Sequence, residues 1–227
     1  MSESRGRAIV LADGDAPDRA ALDASWPGWA DGVTLVVAAD GGARHAPRLG
    51  LRVDHWVGDG DSLPAADLEA LRAAGTRIDL VAAEKDETDA ELALRAALDG
   101  GVTAVTIIGA LGGPRLDHAL ANVWLLAHPA LGDRDAELLD AGSRVRLLRG
   151  PGSLELDGRV GDLVSLIPFD GDASGVRTTD LQYALDGETL VLGASRGISN
   201  VRLAPRASVA VGGGSILVVE SPVTLSR

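Results

Sequence analysis

A chain of 227 residues, 46% of them hydrophobic, can bury one large core or two modest ones. The formal net charge of −12 argues against nucleic acid as a partner, because neutralising its backbone takes clustered Lys and Arg. The absence of cysteine excludes disulfides, thiolate metal sites and a cysteine nucleophile, and it suits a reducing cytoplasm.

Taken in chain order, the start from Met1 to Arg7 is polar and lacks the apolar stretch of a signal peptide. No tract is apolar enough to span a bilayer, so a soluble protein with no membrane partner is expected. Apolar runs at 8–11, 33–38, 78–81 and 102–108 predict buried strands. Between them, segments 65–74, 89–98 and 116–127 carry apolar residues three and four apart and predict helices; Leu116, Leu120, Val123 and Ala127 form one such stripe. Alternating strand and helix imply a mostly parallel α/β sheet. After Gly150 the texture changes to short strands at 160–169, 188–192, 209–211 and 216–219, with Asp157-Gly158 and Asp186-Gly187 as hairpin signals. An antiparallel β-sandwich or barrel is expected there, with Arg149-Gly150-Pro151-Gly152 as the junction of domains 1–148 and 149–227.

Candidate chemistry lies in four places. Asp40-Gly41-Gly42 ends the 33–38 strand, where open α/β sheets bind ligands and glycines admit a phosphate to the backbone; a plain turn with Asp40 as helix cap is the simpler account. Gly58-Asp59-Gly60-Asp61-Ser62 puts two carboxylates on one face of an extended segment, where they repel unless a cation or proton lies between them. Oxygen ligands without cysteine suit magnesium, while the simpler account is a polar turn with Ser62 capping the helix at Pro64. In Lys85-Asp86-Glu87-Thr88-Asp89, Thr88 and Glu91 read as a capping box and Asp89 favours the helix dipole, which leaves Asp86 and Glu87 unexplained. Lys85 is the only lysine in a chain rich in Ala, Arg and Gly; compositional bias accounts for that, so being alone gives it no special role. Finally, the glycine-rich turn from Gly109 to His118 offers backbone N–H groups and the forked donor of Arg115 to an anion, although His118 alone more often serves the turn.

The ordered motifs 39–42, 58–62, 85–89 and 112–118, followed by Ser165-Leu166-Ile167-Pro168, 179–183 and Gly197-Ile198-Ser199-Asn200, resemble those of thiamine pyrophosphokinases. The resemblance implies an α/β catalytic domain joined to a β-sandwich and a homodimer that transfers pyrophosphate from ATP to thiamine with Mg2+. It implies that Asp59, Asp61 and Asp89 hold magnesium and polyphosphate, and that Asp40, Gly41, Gly42, Ser62, Thr88, Arg115 and Asp117 meet the nucleotide. Lys85 and Asp86 stand where the family reaches substrate from the neighbouring subunit, and Ser199 and Asn200 where it forms the thiamine pocket. Two departures are Gly60, where the family usually has Phe, and Pro114, inserted before Arg115. A pyrophosphokinase for another heteroaromatic alcohol, such as a pterin, and a non-catalytic nucleotide-binding module are the alternatives.

Overall fold

The computed structural model describes residues 6–223; most of the polar start, Met1 to Arg5, lies outside them. Two compact units divide between Ala141 and Gly142. The division falls upstream of Gly150-Pro151 because residues 143–149, which carry no strong sequence signal, form a strand paired within the second unit.

The first unit is a parallel sheet of β1 (Arg7–Leu11), β2 (Val33–Ala39), β3 (His55–Gly58), β4 (Arg77–Leu80), β5 (Ala104–Ile108) and β6 (Asp135–Asp140). Every strand pair is parallel, and the spatial order is β6-β5-β1-β2-β3-β4. Ala8 to Leu11 of the central β1 are wholly buried, as expected of a strand covered on both faces. The helices are α1 (Arg19–Ser25), α2 (Ala46–Leu49), α3 (Ala65–Ala73), α4 (Asp89–Asp99) and α5 (Leu116–Trp124), with a 3-10 turn (Asp40–His45) leading into α2. Helix α4 buries Ala90, Ala93, Leu94, Ala97 and Leu98, spaced i, i+3, i+4, i+7, i+8, against the sheet. The 116–127 stripe behaves differently. Leu116 is 71% and Leu120 48% exposed, and Asn122 is the buried residue of α5. Periodicity identifies residues that share a helix face; it does not say whether that face meets the core.

The chain steps from β1 outward through β2, β3 and β4, then crosses back to place β5 on the other side of β1. The strand order therefore reverses between β1 and β5. Loops leaving two adjacent parallel strands in opposite directions open a crevice at their carboxyl ends, the place where such sheets bind ligands.

The second unit contains two antiparallel sheets. One orders β7 (Ser143–Arg149), β14 (Ser215–Ser221), β9 (Leu163–Pro168) and β12 (Asn200–Val201). The other orders β8 (Gly152–Asp157), β13 (Arg206–Val211), β10 (Ala173–Thr179) and β11 (Asp186–Leu190). Leu148, Val164, Leu166, Ile216 and Val218 from the first share a core with Leu156, Val176, Leu190, Val209 and Val211 from the second. This is a β-sandwich. Neither Asp-Gly pair makes the expected hairpin turn. After Asp157-Gly158 the chain moves to β9 in the other sheet, and β8 pairs with β13 instead. Asp186-Gly187 sits inside β11, where Gly187 at φ 83° absorbs a register shift against β10.

Asn200 is buried and its amide is engaged: Tyr183 N–H donates to Oδ1 at 2.8 Å, and Nδ2 donates to the Tyr183 carbonyl at 2.8 Å. The side chain thus imitates a strand partner for the 180–185 loop. Asn200→Ala removes both bonds and leaves a backbone donor and acceptor unmatched, so urea unfolding followed by circular dichroism should register a loss of about 2 kcal/mol. Unchanged stability would instead free Asn200 to act as a ligand contact.

Candidate active site

Four strand ends and one helix start deliver the polar groups. A cleft of about 270 Å³ at the β1–β5 crevice is lined by Asp13 and Gly14 after β1, Asp40 after β2 and Ser62 after β3. Thr88 and Asp89 at the start of α4, Gly112 to Arg115 after β5, and His118 and Asn122 of α5 complete it.

Asp40 sits at φ 41°, a left-handed conformation that Asp tolerates better than most residues. Three contacts hold it there. Trp56, fully buried, donates Nε1–H to the Asp40 carbonyl at 2.9 Å, and Ser62 N–H donates to Oδ2 at 3.2 Å. Gly58 leaves room, since a Cβ there would stand 2.8 Å from Asp40 Cβ. Asp40 Oδ1 is buried and accepts no hydrogen bond. Carboxylate oxygens of Asp40, Asp59 and Asp61 lie within 4.8 Å of one another. Asp61 N–H caps Asp59 Oδ1 at 3.1 Å, and Ser62 Oγ donates to Asp61 at 2.9 Å rather than capping α3.

Lys85 projects into this cluster, its Nζ 3.1 Å from Asp89 and 3.6 Å from Asp59. Thr88 caps α4 through Glu91 N–H at 3.2 Å while lining the cleft, and Glu87 pairs with Arg95 at 2.8 Å. Asp86 is exposed. Gly41 and Gly42 have a packing reason: a Cβ on Gly42 would come 2.2 Å from the Leu11 carbonyl, and one on Gly41 2.5 Å from Asp13. Arg115 is exposed and grips Asp117 through both fork nitrogens, at 2.9 and 2.6 Å. Ser199 belongs to the second unit, exposed at φ 57°, its N–H on Ser165 Oγ at 3.0 Å.

Charges in the cleft respond to one another. Burial, reinforced by Asp89 and Asp59 and opposed by Ser62, raises the Asp40 pKa. Burial likewise raises Asp13 against the pull of Arg44. The Asp61 N–H foremost, then Lys85, lower Asp59. Burial works against the Lys85 charge, yet Asp89 and Asp59 outweigh it and raise that pKa. Arg115 drives Asp117 down to about 2.

Sequence reasoning missed Asp13, Arg44, His45 and Asn122. Arg44 donates to Asp13 at 2.5 Å and to the Ser62 carbonyl at 2.8 Å, joining the β1 loop to the acidic loop. Asn122 Nδ2 donates to the Ala110 carbonyl at 2.9 Å. Ala12-Asp13-Gly14-Asp15 repeats the strand-then-acidic-turn pattern seen after β2 and β3 and could have been found that way.

Because its folded-state pKa is raised, Asp40 favours folding at pH below its unfolded value of 3.8, and that contribution is lost as pH rises through the raised value. Asp40→Asn removes the titration. In metal-free thermal unfolding, the variant should therefore gain stability over the parent as pH rises from acid to neutral. A difference that stays flat with pH would show that Asp40 is not held protonated by the fold.

Two family models match the chain: "Thiamin pyrophosphokinase, catalytic domain" over residues 29–137 and "Thiamin pyrophosphokinase, vitamin B1 binding domain" over 153–214. The chain is 28% identical over 195 residues to a thiamine pyrophosphokinase of Bacillus subtilis, covering 86% of this chain and 90% of that one. The crystal structure of a Bacillus subtilis thiamine pyrophosphokinase superposes with a TM-score of 0.82 at 25% identity, covering 95% and 98% of the two chains. A thiamin pyrophosphokinase family protein from Enterococcus faecalis gives 0.80 at 26% identity, covering 95% and 99%.

Proposed function

The chain belongs to the thiamine pyrophosphokinase family, and we propose that the cleft and acidic cluster of its first unit are the pyrophosphoryl-transfer site. The enzyme is a thiamine diphosphokinase, moving pyrophosphate from ATP to the hydroxyethyl group of thiamine and releasing AMP. The observation that carries the site assignment is the convergence of Asp40, Asp59 and Asp61 beside a crevice at the point of strand reversal.

A magnesium ion fits this donor set. The ligands are all hard carboxylate oxygens, and the buried Asp40 Oδ1 lacks the donor that a cation would replace. Asp40, Asp59 and Asp61 would hold it, and Asp89, whose Oδ1 is likewise buried without a hydrogen bond and lies 3.1 Å from Lys85 Nζ, stands beside them as a further candidate ligand. Bound there, the metal supplies neutralisation of charge on the phosphates during transfer. The protein's own part is positioning. Thr88 and the Gly112–Gly113 turn flank the polyphosphate, while Arg115, released from Asp117, offers two parallel donors to phosphate oxygens. The thiamine hydroxyl attacks the β-phosphorus, the bond to the bridging oxygen breaks, and AMP leaves with that oxygen. No strong general base is needed for a loose transition state, and the hydroxyl proton passes late to one of the carboxylates of the acidic cluster.

The match to a vitamin B1 binding domain over 153–214 favours thiamine over a pterin or another heteroaromatic alcohol. Ser199, exposed on that unit, is the better pocket candidate than the engaged Asn200. Asp61→Asn should cut turnover by roughly a hundredfold or more, the scale of one lost preorganised electrostatic contact. The assay is joint formation of AMP and thiamine diphosphate; ADP appearing instead overturns the pyrophosphoryl-transfer reading.

We also propose a homodimer and a cytoplasmic location, the latter on the cysteine-free composition. Among the described residues no helix is long and apolar enough to cross a membrane. The exposed Leu116 and Leu120, one turn apart on α5, support a face that a second copy covers. Light scattering should give twice the chain mass for the parent and a shift to monomer for Leu120→Arg; a monomeric parent refutes the dimer.

A further inference from the structure

His45 ends the 3-10 turn that begins at Asp40, with 8% of its surface exposed. Both ring nitrogens are engaged. Nδ1 lies 2.7 Å from Arg48 Nη2, and Nε2 lies 2.9 Å from the carbonyl oxygen of Gly14. A guanidinium has only donors, so Nδ1 must accept and the ring proton must sit on Nε2, where it donates to Gly14. Geometry alone thus fixes the tautomer.

Gly14 is a cleft residue under tight constraint. Its N–H donates to the Gly109 carbonyl at 2.8 Å, and a Cβ on Gly14 would stand 2.5 Å from that same oxygen. The next residue, Asp15, accepts from Gly113 N–H at 2.9 Å, across the crevice. Holding the Gly14 carbonyl therefore holds the β1 loop against the glycine-rich turn after β5.

We propose that His45 is a positioning residue for the ATP side of the cleft: its neutral Nε2–H form clasps the Gly14 carbonyl, and taking up a proton on Nδ1 opens the clasp. The new N–H would face the Arg48 guanidinium, so the ring and Arg48 repel and the ring turns away. The charged groups around the ring are Arg48 from α2, Arg44 from the same 3-10 turn and Asp13 from the β1 loop. The β5 side presents only backbone at Gly109, where a Cβ would lie 3.4 Å from the ring. Burial foremost, then Arg48, lowers the His45 pKa below 6.5, against the opposing pull of the Gly14 carbonyl and Asp13. With a lowered folded pKa, the clasp is intact above the unfolded value and is lost as pH falls through the folded one.

The kinetic test rests on the ATP reading of the cleft. As pH falls from about 7.5 through the lowered His45 pKa, the parent's KM for ATP should rise roughly 3- to 10-fold, the effect of one lost hydrogen bond. The KM for thiamine should move much less. His45→Gln keeps an N–H donor for Gly14 and cannot titrate, so it should work at neutral pH and lack the acid rise in KM for ATP. The same acid rise in His45→Gln, or parallel changes for both substrates, would overturn the proposal. Nitrogen-15 NMR of the parent tests the clasp without catalysis or a variant: His45 should be the Nε2–H tautomer and titrate below the ordinary histidine range. An Nδ1–H tautomer or an ordinary titration overturns the clasp, whereas failure to use ATP at all overturns the functional reading and leaves the tautomer result standing.

Discussion

Like charge held together is the constraint around which the first unit is organised. Asp40, Asp59 and Asp61 bring carboxylate oxygens within 4.8 Å, and Asp89 joins them through the shared Lys85. Such crowding is unfavourable in the isolated chain and persists only because the backbone beneath it is over-determined. Trp56 on β3 fixes the Asp40 carbonyl at the end of β2, Ser62 N–H fixes its carboxylate, and Gly58 allows the two strand ends to approach. Parallel pairing of β2 with β3 sets the spacing, and the buried core under both strands keeps it. Fold stability is in this sense spent on holding the cluster.

The second organising feature is the reversal of strand order between β1 and β5. It opens a crevice, but a crevice and an acidic cluster serve one reaction only if their separation is fixed. The 3-10 turn from Asp40 to His45 does this with successive residues. Asp40 belongs to the cluster, Arg44 ties Asp13 of the crevice to the Ser62 carbonyl, and His45 reaches Gly14. A tight helix suits the task because its side chains diverge within a few residues, so one short segment can grip two loops. The close approaches at Gly41 and Gly42 follow from the same need, since a Cβ on Gly42 would collide with the Leu11 carbonyl at the end of β1 and one on Gly41 with the Asp13 carboxylate of the loop after it.

Much of this was legible in the sequence, for identifiable reasons. Buried parallel strands are near-continuous apolar runs, and β1, β2 and β5 stood out as such, whereas the 78–81 run, expected to be buried, became the edge strand β4, which buries none of its residues because no strand pairs with its outer side. The α4 face was equally plain in its i, i+3, i+4 spacing. Asp59 and Asp61 were visible because an acidic pair in a glycine turn is electrostatically awkward. What stayed hidden depended on contacts between distant residues. Leu116 and Leu120 show the same periodicity as a core face yet point outward, and residues 143–149 become a strand only through pairing with β14. Asn200 stood out as an expected pocket residue; its partner, the Tyr183 backbone, comes from a loop that sequence spacing does not connect to it. Arg44 and His45 carry no motif at all, because their targets are a carboxylate and backbone carbonyls far along the chain.

Lys85 shows how composition misleads when read without geometry. Compositional bias explains why lysine is rare here, but not why the single one lies between Asp59 and Asp89. Asp59 and Asp89 pair with this one ammonium while Asp40 and Asp61 crowd against Asp59, so the cluster keeps an excess of negative charge; burial foremost, then Asp89 and Asp59, raises the Asp40 pKa. An arginine would fork onto two carboxylate oxygens and close the site with directional bonds; an ammonium is a compact charge whose contacts rearrange readily. Lys85 Nζ reaches Asp59 at 3.6 Å and Asp89 at 3.1 Å, while Asp40 Oδ1 stays without a hydrogen bond. A lysine therefore balances enough charge to let the loops fold together while leaving the cluster the remaining attraction that draws in a divalent cation.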